Sequence, residues 1–181
     1  MDADTGYYVD QLAQSSQTPC GLGTYNPNTG STSLSACVDA DTGYYVDQLA
    51  QSSQTPCGLG TYQALTGQAL CEDADAGYYV DQPAQSDQTP CGLGTYQALT
   101  GQASCDDADA GHYVNQSAQS SQISTDPGYY VDQPAQSSQI PCGLGTYNRQ
   151  RVSTSSSACL YADSGYYVDQ IAQSSQIPCG L

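Results

Sequence analysis

Phenylalanine, tryptophan and lysine are absent from this chain, and histidine, methionine and glutamate occur once each, as His112, Met1 and Glu72. The only basic side chains are Arg149 and Arg151, against 18 acidic residues, for a net charge of -16. A nucleic-acid backbone would repel such a chain, which excludes nucleic acid as a partner. With no lysine and one histidine, no base stands ready to activate a serine or to hold a cysteine as thiolate, so an enzyme is not expected. His112 simply replaces the first Tyr of a recurrent GYYV tract. There is no CxxC pair, no zinc-ligand spacing and no phosphate-cradling glycine loop. No apolar run is long enough to cross a membrane, and no signal or lipidation motif stands in this segment.

Large aliphatic residues are also scarce. Leu, Ile and Val number 24 among 181 residues, below the roughly 20% that separates globular from disordered chains. High net charge acts in the same direction. A core built from aliphatic side chains alone cannot hold this chain. The nine cysteines point to disulfide staples of the kind used by small extracellular modules.

What the sequence has in abundance is itself. Residues 2–25, DADTGYYVDQLAQSSQTPCGLGTY, return unchanged at 39–62. GYYV, or GHYV once, starts at Gly6, Gly43, Gly77, Gly111, Gly128 and Gly165; GTY starts at Gly23, Gly60, Gly94 and Gly145. The chain therefore reads as ten half-repeats, six of GYYV type and four of GTY type, each opened by a glycine and most closed by a cysteine. Paired halves give repeats at 1–38, 39–72 and 73–106, a lone GYYV half at 107–125, a repeat at 126–160 and a partial one at 161–181. The first residue stands where Val38 stands in the second copy and the last stands before an expected GTY half, so the sequence reads as part of a longer array.

The lone half bears on the cysteines. Fourteen residues after Gly111 stands Thr125 where the other GYYV halves have cysteine, and no GTY half follows. If each GYYV-terminal cysteine pairs with the one closing the next GTY half, that loss is explained. The pairs are then Cys20–Cys37, Cys57–Cys71, Cys91–Cys105 and Cys142–Cys159, leaving Cys179 for a partner in the continuation. The rival scheme, Cys37 with Cys57 and onward, strands Cys105 opposite Thr125. The first scheme is preferred, although connectivity is not in general readable from spacing.

The stretch PCGLGTYNPNTGSTSLSAC followed by GYYV resembles the ephrin-receptor-like cysteine-rich repeats, and more distantly the tumour necrosis factor receptor and laminin-type modules. The resemblance covers nearly the whole chain and implies an extracellular ladder of stapled hairpins. Those families carry more cysteines per module than this chain, so their pairing does not transfer. The near-identical, lysine-free repetition is also similar in composition to microbial surface fibre glycoproteins.

The expected fold is small, disulfide-rich and β/irregular: an elongated tandem-repeat rod of short stapled hairpins. Tyr-Tyr-Val favours strand, NPNTG and ALTGQ are turns, and the recurrent tyrosines are expected to pack on the disulfides. The motif DxDxG supplies alternating carboxylates at Asp2 and Asp4, Asp39 and Asp41, Asp73 and Asp75, and Asp107 and Asp109, the logic of a calcium turn. It is short of ligands, and the alternative is that these aspartates cap the turn. No other cofactor is expected. Covalent glycans are expected at the sequon Asn115-Gln116-Ser117 and at Thr29, Ser31, Thr32 and Ser33, and at Ser153, Thr154, Ser155, Ser156 and Ser157. The function expected is a non-enzymatic extracellular fibre, stalk or surface filament that self-associates or continues as a longer array. The alternative is a ligand-binding ectodomain, for which the break in the repeat at 123–127 and 149–152 is the place to look.

Overall fold

The computed structural model describes residues 2–11 and 15–180. Among them every strand is two residues long and every sheet is two-stranded. Each leading glycine is followed by the first strand of a hairpin. Tyr7 and Tyr8 pair antiparallel with Pro19 and Thr18, and Thr24 and Tyr25 with Asp39 and Val38. The register recurs at Tyr44 with Pro56 and at Thr61 with Asp73. Proline is tolerated in these ladders because each strand of a two-stranded sheet is an edge. Among the described residues there is no α-helix; single 3-10 turns at Leu34–Ala36 and Ser156–Ala158 close the two longer GTY halves.

The chain forms two compact units: Met1–Asp75 with Tyr79–Thr89 and Thr100–Ser104, and Ala76–Tyr78 with Pro90–Leu99 and Cys105–Leu181. The boundary does not follow the repeats.

Inside each unit one hydrogen-bond pattern recurs. The N–H of a leading glycine donates to the carbonyl three residues after the next leading glycine: Gly6 to Asn26 and Gly43 to Gln63 in the first unit, Gly77 to Gln97 and Gly94 to Val114 in the second, at 2.7–2.8 Å. That third residue donates onward, as Val46 does to Gln68 and Val114 to Gln136, both at 3.0 Å. A hairpin of this size is marginal alone. Its main-chain groups are completed by the half that follows.

The leading glycines have φ between 76° and 91°, a region open to glycine and costly for other residues. Contact adds a second demand. A Cβ on Gly6 would fall onto the carbonyl of Ala50, two halves further on, and one on Gly23 onto the carbonyl of Gly67. Backbone packs directly on backbone, so the enclosed space is thin.

Small residues accordingly fill it. Three residues before the leading glycines stand Ala3, Cys20, Ala40, Cys57, Ala74, Cys91, Ala108, Thr125 and Cys142, none more than 2% exposed. Three residues after them stand Val46, Val80, Val114 and Val131 in GYYV halves and Asn26, Gln63, Gln97 and Asn148 in GTY halves, all buried. Buried amides need partners, and they have them. Asn26 Nδ2 donates to Tyr7 O and Ser31 Oγ, both at 2.8 Å, and its Oδ1 accepts from Asn28 N–H. In the shorter half Gln63 Nε2 donates to Leu70 O at 2.8 Å and its Oε1 accepts from Leu65 N–H.

Among the described residues fifteen of the 22 large aliphatics are exposed, so leucine is not the core of this protein. Nor are the tyrosines. Among those described only Tyr147 is buried, at 5% exposure, and Tyr161 stands 82% exposed. Most of the other described tyrosines are half-buried, so small residues rather than rings fill the gap between stacked backbones.

Glycines at the leading position and in the neighbouring link should therefore respond differently. Gly60→Ala places a methyl against the Gly101 carbonyl at φ 78°, whereas a Cβ on Gly58 would meet nothing within 4 Å. Thermal unfolding should show Gly60→Ala losing more than about 2 kcal/mol and Gly58→Ala staying within about 0.5 kcal/mol of the parent. Equal losses would refute the backbone-packing account.

Candidate functional site

Each hairpin is closed at its base by one of two devices. In GTY halves it is a disulfide: Cys20–Cys37, Cys57–Cys71, Cys91–Cys105 and Cys142–Cys159, with Cα–Cα distances of 5.5–5.8 Å. These are the four pairs of the preferred scheme. Loops of this length are stabilised by about 3 kcal/mol each in the chain-entropy model. Cys179 is free and exposed, and its N–H donates to Gly165 O at 2.9 Å, as Cys20 N–H does to Gly6 O at 2.8 Å.

In GYYV halves the closing device is an aspartate–glutamine clamp. Asp41 N–H donates to Gln54 Oε1 at 2.6 Å, and Gln54 Nε2 donates back to Asp41 Oδ2 at 2.7 Å. The same reciprocal pair joins Asp4 to Gln17, Asp75 to Gln88, Asp109 to Gln122, Asp126 to Gln139 and Asp163 to Gln176. The glutamine occupies the slot six residues before the next leading glycine, where the GTY halves that end in a GYYV half place the closing cysteine. Covalent and hydrogen-bonded closures thus share one position in the half-repeat.

This changes the meaning of Thr125. It occupies the buried slot that is cysteine ahead of GTY halves and alanine ahead of the other intact GYYV halves, and a GYYV half follows it. The half opened by Gly111 is closed by its own clamp, Asp109–Gln122. No staple is missing there. Thr125 Oγ1 instead accepts from Ser153 N–H at 3.0 Å.

The second aspartate of DxDxG is therefore a closing residue, reaching 13 residues along the chain rather than capping its own turn. The first aspartates, Asp2, Asp39, Asp73 and Asp107, lie exposed beside it. Each turn so offers calcium two carboxylates, one of them already holding a glutamine. Among the described residues no three His, Cys, Asp or Glu side chains converge to hold a metal ion.

The groups expected as glycan acceptors divide. Asn115, Ser117, Thr29, Thr32, Ser33, Thr154, Ser156 and Ser157 are exposed. Ser153 is a correction: it is 5% exposed, and its hydroxyl accepts from Asn148 Nδ2 at 2.8 Å, which leaves no room for a sugar. Half-buried Ser31 serves Asn26 in the same way. Ser33 and Ser155 cap the 3-10 turns, and Ser155 is half-buried.

His112 stands opposite Ser124 in its hairpin, with Nδ1 buried and without a hydrogen-bond partner. The tyrosines in that place elsewhere carry no ring nitrogen to satisfy. The second part of the break in the repeat lies over the half opened by Gly111: Val152 Cγ1 lies 3.0 Å, and Thr154 Cγ2 3.2 Å, from where a Gly111 Cβ would be.

No protein-family model matches this chain, and no curated protein matches its sequence. The geometry stands as the ground for a functional reading.

If the clamp glutamine and the closing cysteine occupy the same slot, a disulfide can replace the clamp. Ala40 and Gln54 are spaced as Cys57 and Cys71 are. Ala40→Cys with Gln54→Cys should give a fifth disulfide, joined to each other in a non-reducing peptide map; scrambling with Cys37 or Cys57 would show the slots to be unlike. Gln54→Ala alone should cost about 1–2 kcal/mol in denaturant unfolding. His112→Tyr should raise stability by about 1 kcal/mol, since it restores the repeat and removes a buried unpaired nitrogen; a loss instead would mean that the nitrogen is satisfied in solution.

Proposed function

We propose that this chain is a non-enzymatic structural repeat protein of the extracellular space, which builds a fibre, stalk or surface filament. The observation that carries this reading is the ladder. The half-repeats opened by Gly6 to Gly145 donate main-chain hydrogen bonds to the half that follows, and the leading glycines from Gly6 to Gly128 pack on the half after that. A unit that finishes itself only on another copy of itself adds to an array of any length.

Several features support the reading. Four disulfides suit an oxidising compartment, and among the described residues no helix is long and apolar enough to cross a membrane. The exposed acceptors around Asn115, Thr29 and Thr154 would let a glycan sheath cover a thin interior. The resemblance to ephrin-receptor-like repeats, themselves stapled ladders of surface and secreted proteins, fits the same picture. Carboxylate-bearing turns repeated along the surface keep such an array in solution and hold like surfaces apart.

Solution scattering tests it. A compact globule of this length would have a radius of gyration near 16 Å, to order of magnitude about that of any single domain of its size. Single-file stacking should give a much larger value, and deleting residues 39–72, one whole repeat, should shorten it in proportion to the halves removed. A globular radius, or one unmoved by the deletion, would sink the filament reading.

A further inference from the structure

Two of the array's departures from its own repeat carry opposite charge. Where the other GTY halves read NPNTG or QALTG, residues 148–152 read NRQRV, which introduces both arginines of the chain. In the other unit the closing segment CEDADAG brings in the only glutamate, Glu72, and the tract AQSDQ has Asp87 where the other GYYV halves read AQSSQ with serine; the next closing segment has Asp106 in the slot of Glu72 but keeps Ser121 in the slot of Asp87, so the two extra acids come together only around Glu72. Variation in a copied unit removes nothing from the ladder when it falls on exposed turns, so opposite charges concentrated in two such turns need a reason outside the fold.

The basic turn lines a groove of about 450 Å³, bounded by Tyr147, Arg149, Gln150, Thr154, Ser157 and Leu160. Arg151 is already paired, its guanidinium 3.1 Å from Asp126 Oδ1. Arg149 has no ion-pair partner among the described residues; its guanidinium carbon lies 5.0 Å from the centre of the Tyr147 ring, a stacking that orients the group and leaves its N–H donors for an anion. The turn also holds strain. Val152 has φ 54°, in the slot where the other GTY halves place Gly30, Gly67 and Gly101 at 67–70° and where Ala50, Ala84, Ala118, Ala135 and Ala172 stand at 58–60° in GYYV halves; a β-branched residue is costlier there than either. The groove is formed within this one GTY half, and Val152, which also lines it, packs on Gly111 of a GYYV half.

The acidic departures gather around one residue. Glu72 is the cross-strand partner of Tyr62. Burial first, then the charges of Glu72, Asp75 and Asp87, push the Tyr62 hydroxyl pKa up. This turn is the complement in charge of the groove, and the array carries both.

We propose that the groove around Arg149 is a docking site for a carboxylate-bearing turn of a second copy of this chain, the turn of Glu72, Asp73 and Asp75 with Asp87 beside it. The choice of partner rests on the self-assembling reading above; the groove and its charge do not. The contact joins two different surfaces, so it is heterologous and propagates from copy to copy rather than closing a dimer. In a filament of near-identical repeats it would also set register, because only one turn per chain carries the arginines.

Sedimentation equilibrium of the full chain, at about 0.15 M ionic strength so that net repulsion is screened, tests the contact. The parent should associate with rising concentration. Arg149→Glu and Glu72→Arg should each weaken association by about tenfold or more, and the two reversals together should restore it. Arg149→Pro, which installs the residue that Pro27 supplies in the first GTY half, should weaken association with an unchanged melting temperature, so that lost docking is told apart from lost folding. A parent that stays monomeric, single reversals without effect, or a double variant no better than either single one would overturn the proposal. So would saturable binding of an acidic oligosaccharide to a monomeric parent, abolished by Arg149→Glu, since that assigns the groove to a glycan. A monomer that still scatters as a rod would reject the docking site and leave the stacking of repeats standing.

Discussion

The constraint on which the rest depends is the contact between the backbone at the leading glycines from Gly6 to Gly128 and a carbonyl two halves further on. It leaves no volume for a Cβ at the glycine and little for side chains around it. From that follow the alanine, cysteine and threonine of one buried row and the valine, asparagine and glutamine of the other. Small residues rather than rings then fill the interior, and the scarcity of large aliphatics ceases to be a deficit. Main-chain hydrogen bonds and close-packed small residues do what a wide apolar core does in an ordinary domain.

A narrow interior makes closure of each hairpin matter more. Two-residue strands are too short to hold a hairpin by themselves, and the array answers with two closures at one slot, a disulfide or an aspartate–glutamine clamp. The disulfide acts mainly by limiting the unfolded chain, whereas the clamp acts by pairing groups that would otherwise stay with water. A half with a clamp has its closure without cysteine. The outer surface is left free to vary, and fifteen exposed aliphatics and two charged departures show that it does.

Much of this is legible in the sequence. The half-repeat, its leading glycine and the hairpins follow from spacing, which also favours, without fixing, the four cysteine pairs over the rival scheme. The clamp also leaves a trace there: aspartate two residues before the leading glycine and glutamine eleven after it recur in all six GYYV halves and in no GTY half. The DxDxG pattern masks it by joining the constant second aspartate to a first one that is replaced by Ser124 and Tyr161, when the constant partner lies farther along the chain. Thr125 resembles a lost cysteine only while its slot is assigned to the half before it rather than the half after. Ser153 looks like any other residue of a serine tract, and only its bond to the buried Asn148 amide removes it from the surface.

By itself the sequence determined the period, the closing partners and the exclusion of a large apolar core, because each of these is a matter of composition or of residues joined within one short loop. Tertiary structure decided which side chains are enclosed, why the packed glycines cannot be replaced, and that Arg149 lies over its ring beside a groove. The first two belong to contacts between halves distant in the chain, between Gly6 and Ala50 or Gly111 and Val152. A repeated sequence states that its units are alike; how the backbone of one rests on the backbone of another depends on geometry that no spacing of letters contains.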